Sequence, residues 1–135
     1  MSIADLLGTL DAFKDLTLEE LGQLASHVKT RHFAPGEVIV HDGDPATECF
    51  VVVSGSAGVS RHTLKPVATL KPHDLFGEIA LIDGSTRAAS VTALEPTECL
   101  AIPAEIIPAL LDTNPHFSFA FLRLAVSRLA ELEAA

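Results

Sequence analysis

Apolar residues recur at helical spacing near the start of the chain. Thr17 and Glu20 have the spacing of a capping box, in which each side chain accepts a hydrogen bond from the other residue's backbone N–H. The apolar positions that follow lie on one face of a helix: Leu18, Leu21, Leu24, Ala25 and Val28. The pattern predicts an amphipathic helix from Thr17 to about residue 27, with a weaker helix before it over residues 3–9.

The pattern changes between residues 30 and 102, where short β-rich runs replace helical spacing. Gly, Pro and Asp separate these runs, as in Pro35-Gly36 and Ser54-Gly55. Evenly spaced short strands with such turns predict a sandwich or a jelly-roll barrel. Residues 78–82 are the exception, because they have the pattern of a single helical turn between strands. The predicted strands cover residues 37–41, 49–53, 56–61, 67–70, 89–94 and 99–102.

Helical patterns return after residue 102. Pro103 can open a helix through Leu111, in which Pro108 is tolerated only near the first turn. Asn114 and Pro115 then have the pattern of an N-cap followed by Pro at the first helical position. The last helix is predicted to continue to about residue 133.

The last predicted helix has more apolar residues than one buried face needs. Packing against a core accounts for one stripe. The additional width predicts either a lid over a ligand or a contact with another chain. The main stripe consists of Phe119, Leu122, Val126, Leu129 and Leu132, and the residues that widen it are Phe117, Phe121 and Leu124.

Composition and charge narrow the function classes. The chain has 135 residues, of which 48% are hydrophobic and 20% charged, as in an ordinary globular protein of one domain. The net charge of −9 argues against wrapping nucleic acid, which requires a basic face. No apolar run is long enough to span a bilayer, and the first residues lack the pattern of a secretory signal. We therefore expect a cytoplasmic protein whose two cysteines, Cys49 and Cys99, are buried and reduced.

The sequence gives little support for a metal enzyme, a serine hydrolase or a catalytic pair of carboxylates. The six histidines are scattered, without a His-x-His or His-x-x-x-His pair, so we expect no metal site. No serine has the surroundings of a nucleophile elbow, and the aspartates at residues 42, 44 and 83 lie in glycine turns. The prediction is that the chain has no catalytic residues, no cofactor and no enzyme activity.

The strongest candidate chemistry lies between residues 76 and 91. Arg87 offers a planar fork of donors suited to a phosphate, a geometry that Lys does not match. Glu78 can accept a hydrogen bond from a sugar hydroxyl. Gly77 lets the backbone approach a ligand closely, and the small side chains of Ala88 and Ala89 leave room for it. A structural role is the alternative, with Glu78 capping its own short helix and Arg87 paired with a carboxylate.

The string Phe76-Gly77-Glu78-Ile79-Ala80-Leu81 through Arg87-Ala88-Ala89 resembles the phosphate-binding cassette of cyclic nucleotide-binding domains. Upstream, Gly36-Glu37-Val38-Ile39, Gly43-Asp44 and Phe50 to Gly55 are similar to the barrel signature of that family. The resemblance implies that Glu78 holds the ribose 2′-hydroxyl and Arg87 an exocyclic phosphate oxygen. It implies a cyclic nucleotide-binding site formed by Phe76, Gly77, Glu78, Ile79, Ala80, Arg87, Ala88 and Ala89.

The resemblance also implies the architecture. We expect a mainly β fold, an eight-stranded jelly-roll β-barrel with an N-terminal helical segment, a short cassette helix and two C-terminal helices. A single domain would cover residues 1–135, with helices at 1–29, the barrel at 30–102 and C-terminal helices at 103–134. Ligand binding would change the placement of the C-terminal helices, which could also contact a protein partner or a second copy of the chain.

Ligand choice and output remain open alternatives. Relatives that prefer cyclic GMP often have a hydroxyl residue after the arginine, so Ala88 favours cyclic AMP over cyclic GMP. A degenerate interaction domain that binds no nucleotide is the competing interpretation, against which intact Glu78 and Arg87 count. The chain stops at Ala135 without a DNA-reading helix-turn-helix, so we expect a stand-alone receptor or a module of a larger protein.

Overall fold

A computed structural model of the chain describes residues 2–10, 13–60, 68–77, 86–87 and 89–134, without the side chains of residues 120, 124 and 128–134. Residues 1–28 and 105–135 form one compact unit, and residues 29–104 form another. The first unit is helical and the second is built of strands. The predicted helical turn at residues 78–82 lies outside the described residues.

The described part of the second unit has eight strands in two antiparallel sheets. One sheet has the order β1-β8-β3-β6 and the other β2-β7-β4-β5. This is the predicted jelly-roll arrangement, with helices before and after it in the chain. The strands are β1 (Lys29–Phe33), β2 (Val38–Val40), β3 (Glu48–Ser54), β4 (Ala57–Ser60), β5 (Ala68–Leu70), β6 (Leu75–Phe76), β7 (Ser90–Ala93) and β8 (Thr97–Pro103).

Side chains from both sheets form the core of the β unit. Phe50 of β3 and Phe76 of β6 lie opposite each other in the ladder, and their rings stack with centroids 5.2 Å apart. Such an aromatic pair adds about 0.5–1.5 kcal/mol beyond the area it buries. The cluster is completed by Val40, Val52, Ala57, Leu70, Val91, Cys99 and Ala101.

Two strands were not among the predicted runs. β1 has the sequence Lys-Thr-Arg-His-Phe, in which only Phe33 is apolar, so its pattern gives no alternation. Among the described strands it is an edge strand that pairs with β8 alone, and charged residues on an edge discourage pairing with other chains. β6 has only two residues, too few for a periodic pattern. Tertiary pairing, not local sequence, determines both strands.

The helical unit confirms the predicted capping box. Thr17 is the N-cap of α2 (Leu18–Ala25), and its backbone N–H donates to Glu20 at 2.8 Å. The helix ends at Ala25, two residues earlier than predicted. A second capping box, formed by Ser2 and Asp5, begins α1 (Ile3–Gly8).

The C-terminal helices follow the prediction with one shift. Residues Ala104–Ile106 form a 3-10 turn, and α3 begins only at Ile107 and continues to Thr113. Pro108 therefore lies in the first turn, where it costs no helical hydrogen bond. The last helix, α4, covers Pro115–Ala134.

The buried face of α4 differs from the main stripe of the sequence pattern. Phe117 and Phe121 are buried, with their ring centroids 5.4 Å apart. Phe117 also stacks on Phe13, with a centroid distance of 5.4 Å. Phe119 and Leu122 are instead 63% and 59% exposed. Phe117 and Phe121, which were predicted to widen the stripe, thus lie on the core face. No helix in the described ranges is long and apolar enough to cross a membrane.

Candidate functional site

Arg87 is the buried cation at the centre of the candidate site. Its side chain is only 7% exposed, although Arg is rarely buried without polar partners. Its backbone is held by the loop between β2 and β3, because its N–H donates to Asp44 O at 2.8 Å and its carbonyl accepts from Gly43 N at 2.9 Å. The neighbouring Thr86 forms a bridge with Pro45 in the same loop. The loop that contains Gly43-Asp44, a pair similar to the family's barrel signature, therefore holds the backbone of Arg87 in place.

Two backbone carbonyls orient the guanidinium. Nη1 donates to Gly77 O at 2.8 Å, and Nη2 donates to Glu48 O. Hydrogen bonds from a charged donor contribute roughly 1.5–3 kcal/mol each. Because the guanidinium stays protonated in proteins, this group brings a permanent positive charge into a buried place.

The end of β6 explains why these carbonyls are available. β6 stops at Phe76, and Gly77 has a φ of +86°, which lies outside the β region. Glu48 pairs with Pro103 of β8 on its other side, and its carbonyl faces the end of β6 at Gly77. A buried carbonyl needs a donor, and Arg87 supplies one to both Glu48 and Gly77.

Gly77 and Arg87 are so close that only glycine fits at residue 77. A Cβ there would lie 2.6 Å from Nη1 of Arg87, and the positive φ is itself unfavourable for other residues. The sequence predicts both residues at the site, with Gly77 allowing a close backbone approach to a ligand. In the structure the close neighbour of Gly77 is Arg87.

An ion pair lies next to this arrangement. Nη2 of Arg31 in β1 is 3.0 and 3.1 Å from the two carboxylate oxygens of Glu48. Arg31 pairs with Cys99 in the ladder and Glu48 precedes Phe50 by two residues, so both lie on the face that carries the core. Glu48 therefore contacts one arginine through its carboxylate and another through its backbone carbonyl.

The structure brings some predicted site residues together and leaves others undescribed. Gly77 and Arg87 are in contact, and Ala89 is half-buried just before β7. Phe76 lies directly before Gly77, but its ring belongs to the core. The remaining predicted site residues lie outside the described part of the chain: Glu78, Ile79, Ala80 and Ala88.

Sequence reasoning did not identify the contributions of Glu48 and Asp44. Both act through backbone carbonyls, which every residue has, so no side-chain pattern indicates them. The available signal for Glu48 is indirect: a charged residue at the start of an otherwise apolar strand.

The two cysteines are buried within the strands, as predicted. The side chains of Cys49 and Cys99 have no exposed surface. Burial, and to a lesser extent the charge of Glu98, raises the pKa of Cys99 to about 11. A thiol with such a pKa stays protonated near neutral pH and is a poor nucleophile.

Comparisons with known proteins give the same family as the resemblance in the sequence. Residues 30–114 match the family described as "Cyclic nucleotide-binding domain". The cyclic AMP receptor protein of Thermus thermophilus is 33% identical over 125 residues, which are 90% of this chain and 58% of that protein. The cGMP-dependent protein kinase of Eimeria tenella is 31% identical over 113 residues, which are 84% of this chain and 11% of the kinase.

A solved structure supports the same relationship. The crystal structure of the Thermus thermophilus catabolite activator protein superposes with a TM-score of 0.78 at 32% identity, covering 92% of this chain and 60% of that one. The chain thus spans less than two thirds of each of these relatives. The family match extends over more than half of the chain and includes β1 to α3. This chain belongs to the cyclic nucleotide-binding domain family.

Proposed function

We propose that the chain is a regulatory domain that binds cyclic AMP at Arg87 and has no catalytic activity of its own. The observation that carries this proposal is the buried guanidinium of Arg87, which backbone carbonyls hold in one orientation next to a glycine. A singly charged cyclic phosphate requires a positive, planar donor of this kind. The net charge of −9 does not oppose it, because screening limits distant charges to about 8 Å at physiological salt.

In this proposal Arg87 binds an exocyclic phosphate oxygen and Glu78 binds the ribose 2′-hydroxyl. Further close contacts with the nucleotide come from six residues, as the resemblance to the family cassette implies: Phe76, Gly77, Ile79, Ala80, Ala88 and Ala89. The named relatives support a cyclic nucleotide but divide on its base, since one is a cyclic AMP receptor and another a cyclic GMP-dependent kinase.

Calorimetric titration with cyclic AMP and cyclic GMP tests the proposal. Arg87→Ala removes one partner of a desolvated charge pair and should cost roughly 2–5 kcal/mol, which is about 30-fold to several-thousand-fold in affinity. Arg87→Lys keeps the charge and loses the fork, so it should recover only part of the affinity. Arg123→Ala, which removes an exposed arginine of α4, is the charge-matched control and should bind like wild type. Folded protein without heat for either nucleotide would support the degenerate interaction domain instead.

Ala88 carries the preference for cyclic AMP in this proposal. Ala88→Thr supplies the hydroxyl that relatives selective for cyclic GMP have after the arginine. The substitution should raise cyclic GMP affinity while leaving cyclic AMP affinity close to that of wild type. Tighter binding of cyclic GMP by the wild-type protein would overturn the choice of cyclic AMP as the ligand but would keep the proposed binding site.

The regulatory output would be a changed placement of the C-terminal helices. A ligand shifts such an equilibrium only by binding the two placements with different affinity. Hydrogen exchange of residues 107–134 with and without cyclic AMP measures this shift. We expect a change in protection that disappears in Arg87→Ala, and equal exchange at saturating ligand would reject the output mechanism.

Self-association through α4 is a second candidate, favoured by its exposed apolar side chains. Phe119, Leu122 and Val126 are each more than half exposed and lie on successive turns. Sedimentation velocity across a concentration series tests this proposal with Leu122→Glu and the matched control Ser127→Glu, which adds the same charge at another exposed position. Dissociation by the first variant alone would support self-association, and a wild-type monomer at all concentrations would reject it.

A further inference from the structure

We propose that the ion pair between Arg31 and Glu48 positions Arg87 for phosphate binding, which makes both residues positioning residues of the site. The inference rests on the proposed function, because it concerns the affinity of that same site. It starts from the double use of Glu48, whose carboxylate contacts Arg31 and whose carbonyl accepts from Arg87. A displacement of Glu48 therefore displaces an acceptor of the phosphate-binding guanidinium.

Glu48 lies at the end of its strand. It is the first residue of β3, and it lies opposite Pro103 of β8. The neighbouring carbonyl, that of Thr47, is held by Ala104 N at 2.9 Å. The ends of strands fray most readily, so a side-chain anchor has more effect here than in the middle of a ladder.

Arg31 is suited to anchor this strand end. Its Nη2 lies 3.0 and 3.1 Å from the two oxygens of the Glu48 carboxylate, so one donor group contacts both acceptors. β8 separates β1 from β3, so the pair ties an edge strand to the strand that carries the acceptor for Arg87. The side chain of Glu48 is 19% exposed and that of Arg31 is 47% exposed, so solvent screens the pair in part.

The sign of one variant distinguishes positioning from simple electrostatics. Glu48→Gln removes a negative charge near a site for an anion, so charge alone would strengthen binding of cyclic AMP. Positioning predicts the opposite, because the carbonyl remains while its anchor is weakened. An ion pair of this kind contributes about 0.2–1 kcal/mol, so we expect a loss of about two- to fivefold in affinity at most.

The test compares Arg31→Ala, Glu48→Gln, Glu48→Ala and the exchanged pair Arg31→Glu with Glu48→Arg, each titrated with cyclic AMP. Lys29→Ala is the control: it removes the same charge as Arg31→Ala from the same strand, and Lys29 makes no ion pair within the described residues. We expect weaker binding in the single variants, recovery in the exchanged pair and wild-type affinity in Lys29→Ala. Stronger binding by Glu48→Gln, or equal losses in Arg31→Ala and Lys29→Ala, would overturn the inference.

A second measurement keeps this inference separate from the proposed function. The side-chain N–H signals of Arg87 in nuclear magnetic resonance report the order of the guanidinium without any ligand. We expect slower solvent exchange in wild type and Lys29→Ala than in Arg31→Ala. If wild type binds no cyclic nucleotide but shows this difference, the proposed ligand is wrong and the positioning stands. If exchange is the same in all variants, the positioning is wrong whatever the protein binds.

Discussion

Gly77 and Arg87 form a contact that leaves no room for a side chain at residue 77. The carbonyl of Gly77 accepts a hydrogen bond of 2.8 Å from Nη1, and an added Cβ would lie 2.6 Å from that same nitrogen. Gly77, with its positive φ, directly follows Phe76, the last residue of β6. Backbone conformation and the orientation of the buried cation are therefore determined together.

Gly77→Ala should cost more stability than the same substitution at another glycine of equal φ. The positive φ alone costs roughly 1–2 kcal/mol, and displacement of Nη1 from the carbonyl removes a charged hydrogen bond worth about 1.5–3 kcal/mol. Chemical unfolding measures the total, and calorimetry should show cyclic AMP affinity reduced by about tenfold or more.

Gly36→Ala is the control for this substitution. Gly36 also has a φ of +86°, but a Cβ there would meet no atom within 4 Å. We expect Gly36→Ala to lose only the stability that the backbone strain costs and to keep its affinity. Equal losses in both variants would show that the contact with Arg87 contributes nothing.

His73→Gly should stabilise the protein. His73 is exposed and has a φ of +80° in the turn Lys71-Pro72-His73-Asp74, where the positive φ favours glycine. Relief of the left-handed strain stabilises the folded state by roughly 1–2 kcal/mol. The greater freedom of glycine in the unfolded chain lowers the free energy of unfolding by about 0.5–1 kcal/mol. We expect a net gain of about 0.5–1 kcal/mol in the free energy of unfolding.

The control for His73→Gly is the same change in a regular strand. His32 is also exposed, but it lies inside β1, so His32→Gly brings the entropic cost without relief of strain. It should destabilise the protein. A loss of stability in both variants would mean that the turn holds His73 without strain.

The parts of the fold that local chemistry determines were predictable. The capping box of Thr17 and Glu20 depends on four consecutive residues, and the structure confirms it. β1 depends on its partner β8, because Lys29 to His32 offer no apolar alternation of their own. The core face of α4 was ambiguous for a different reason: Phe117 and Phe119 are equally apolar, and only packing against Phe13 selects the first.

The residues of the candidate site also differ in whether the sequence alone indicates them. The sequence predicts Arg87 and Gly77 as site residues from side-chain chemistry, or its absence, and in the structure the two are in contact. Glu48 was not predicted, since it contacts Arg87 through a backbone carbonyl that lies beside the end of β6. Three-dimensional pairing must be known before such a contribution can be recognised.

Cys99 should make stability fall between about pH 9 and pH 11. Burial and Glu98 raise the pKa of the folded thiol from 9.0 to about 11, so the unfolded state loses its proton first. In that window unfolding releases a proton, and stability decreases by up to about 1.4 kcal/mol per pH unit. Below pH 9 both states are protonated and the contribution is constant.

Comparison with Cys99→Ala isolates this effect. The chain has no tyrosine, so the other groups that titrate in this range are mainly lysines that both proteins share. The free energy of unfolding should fall more steeply with pH in wild type than in Cys99→Ala between about pH 9 and pH 11. Parallel curves would contradict the raised pKa of Cys99.

Asn114→Ala should destabilise the helical unit by about 1–3 kcal/mol, because it removes the partner of a partly buried carboxylate. The side-chain amide of Asn114 donates to Oε2 of Glu20, while Oε1 of Glu20 accepts from Thr17 N at 2.8 Å. One carboxylate thus joins the start of α2 to the junction between α3 and α4. Thr113→Ala is the control, since its hydroxyl bonds only within its own helix, to Ala109 O, among the described contacts. Thermal unfolding in Glu20→Gln and in the double variant with Asn114→Ala then measures the coupling, and fully additive losses would show that the two side chains stabilise the unit independently.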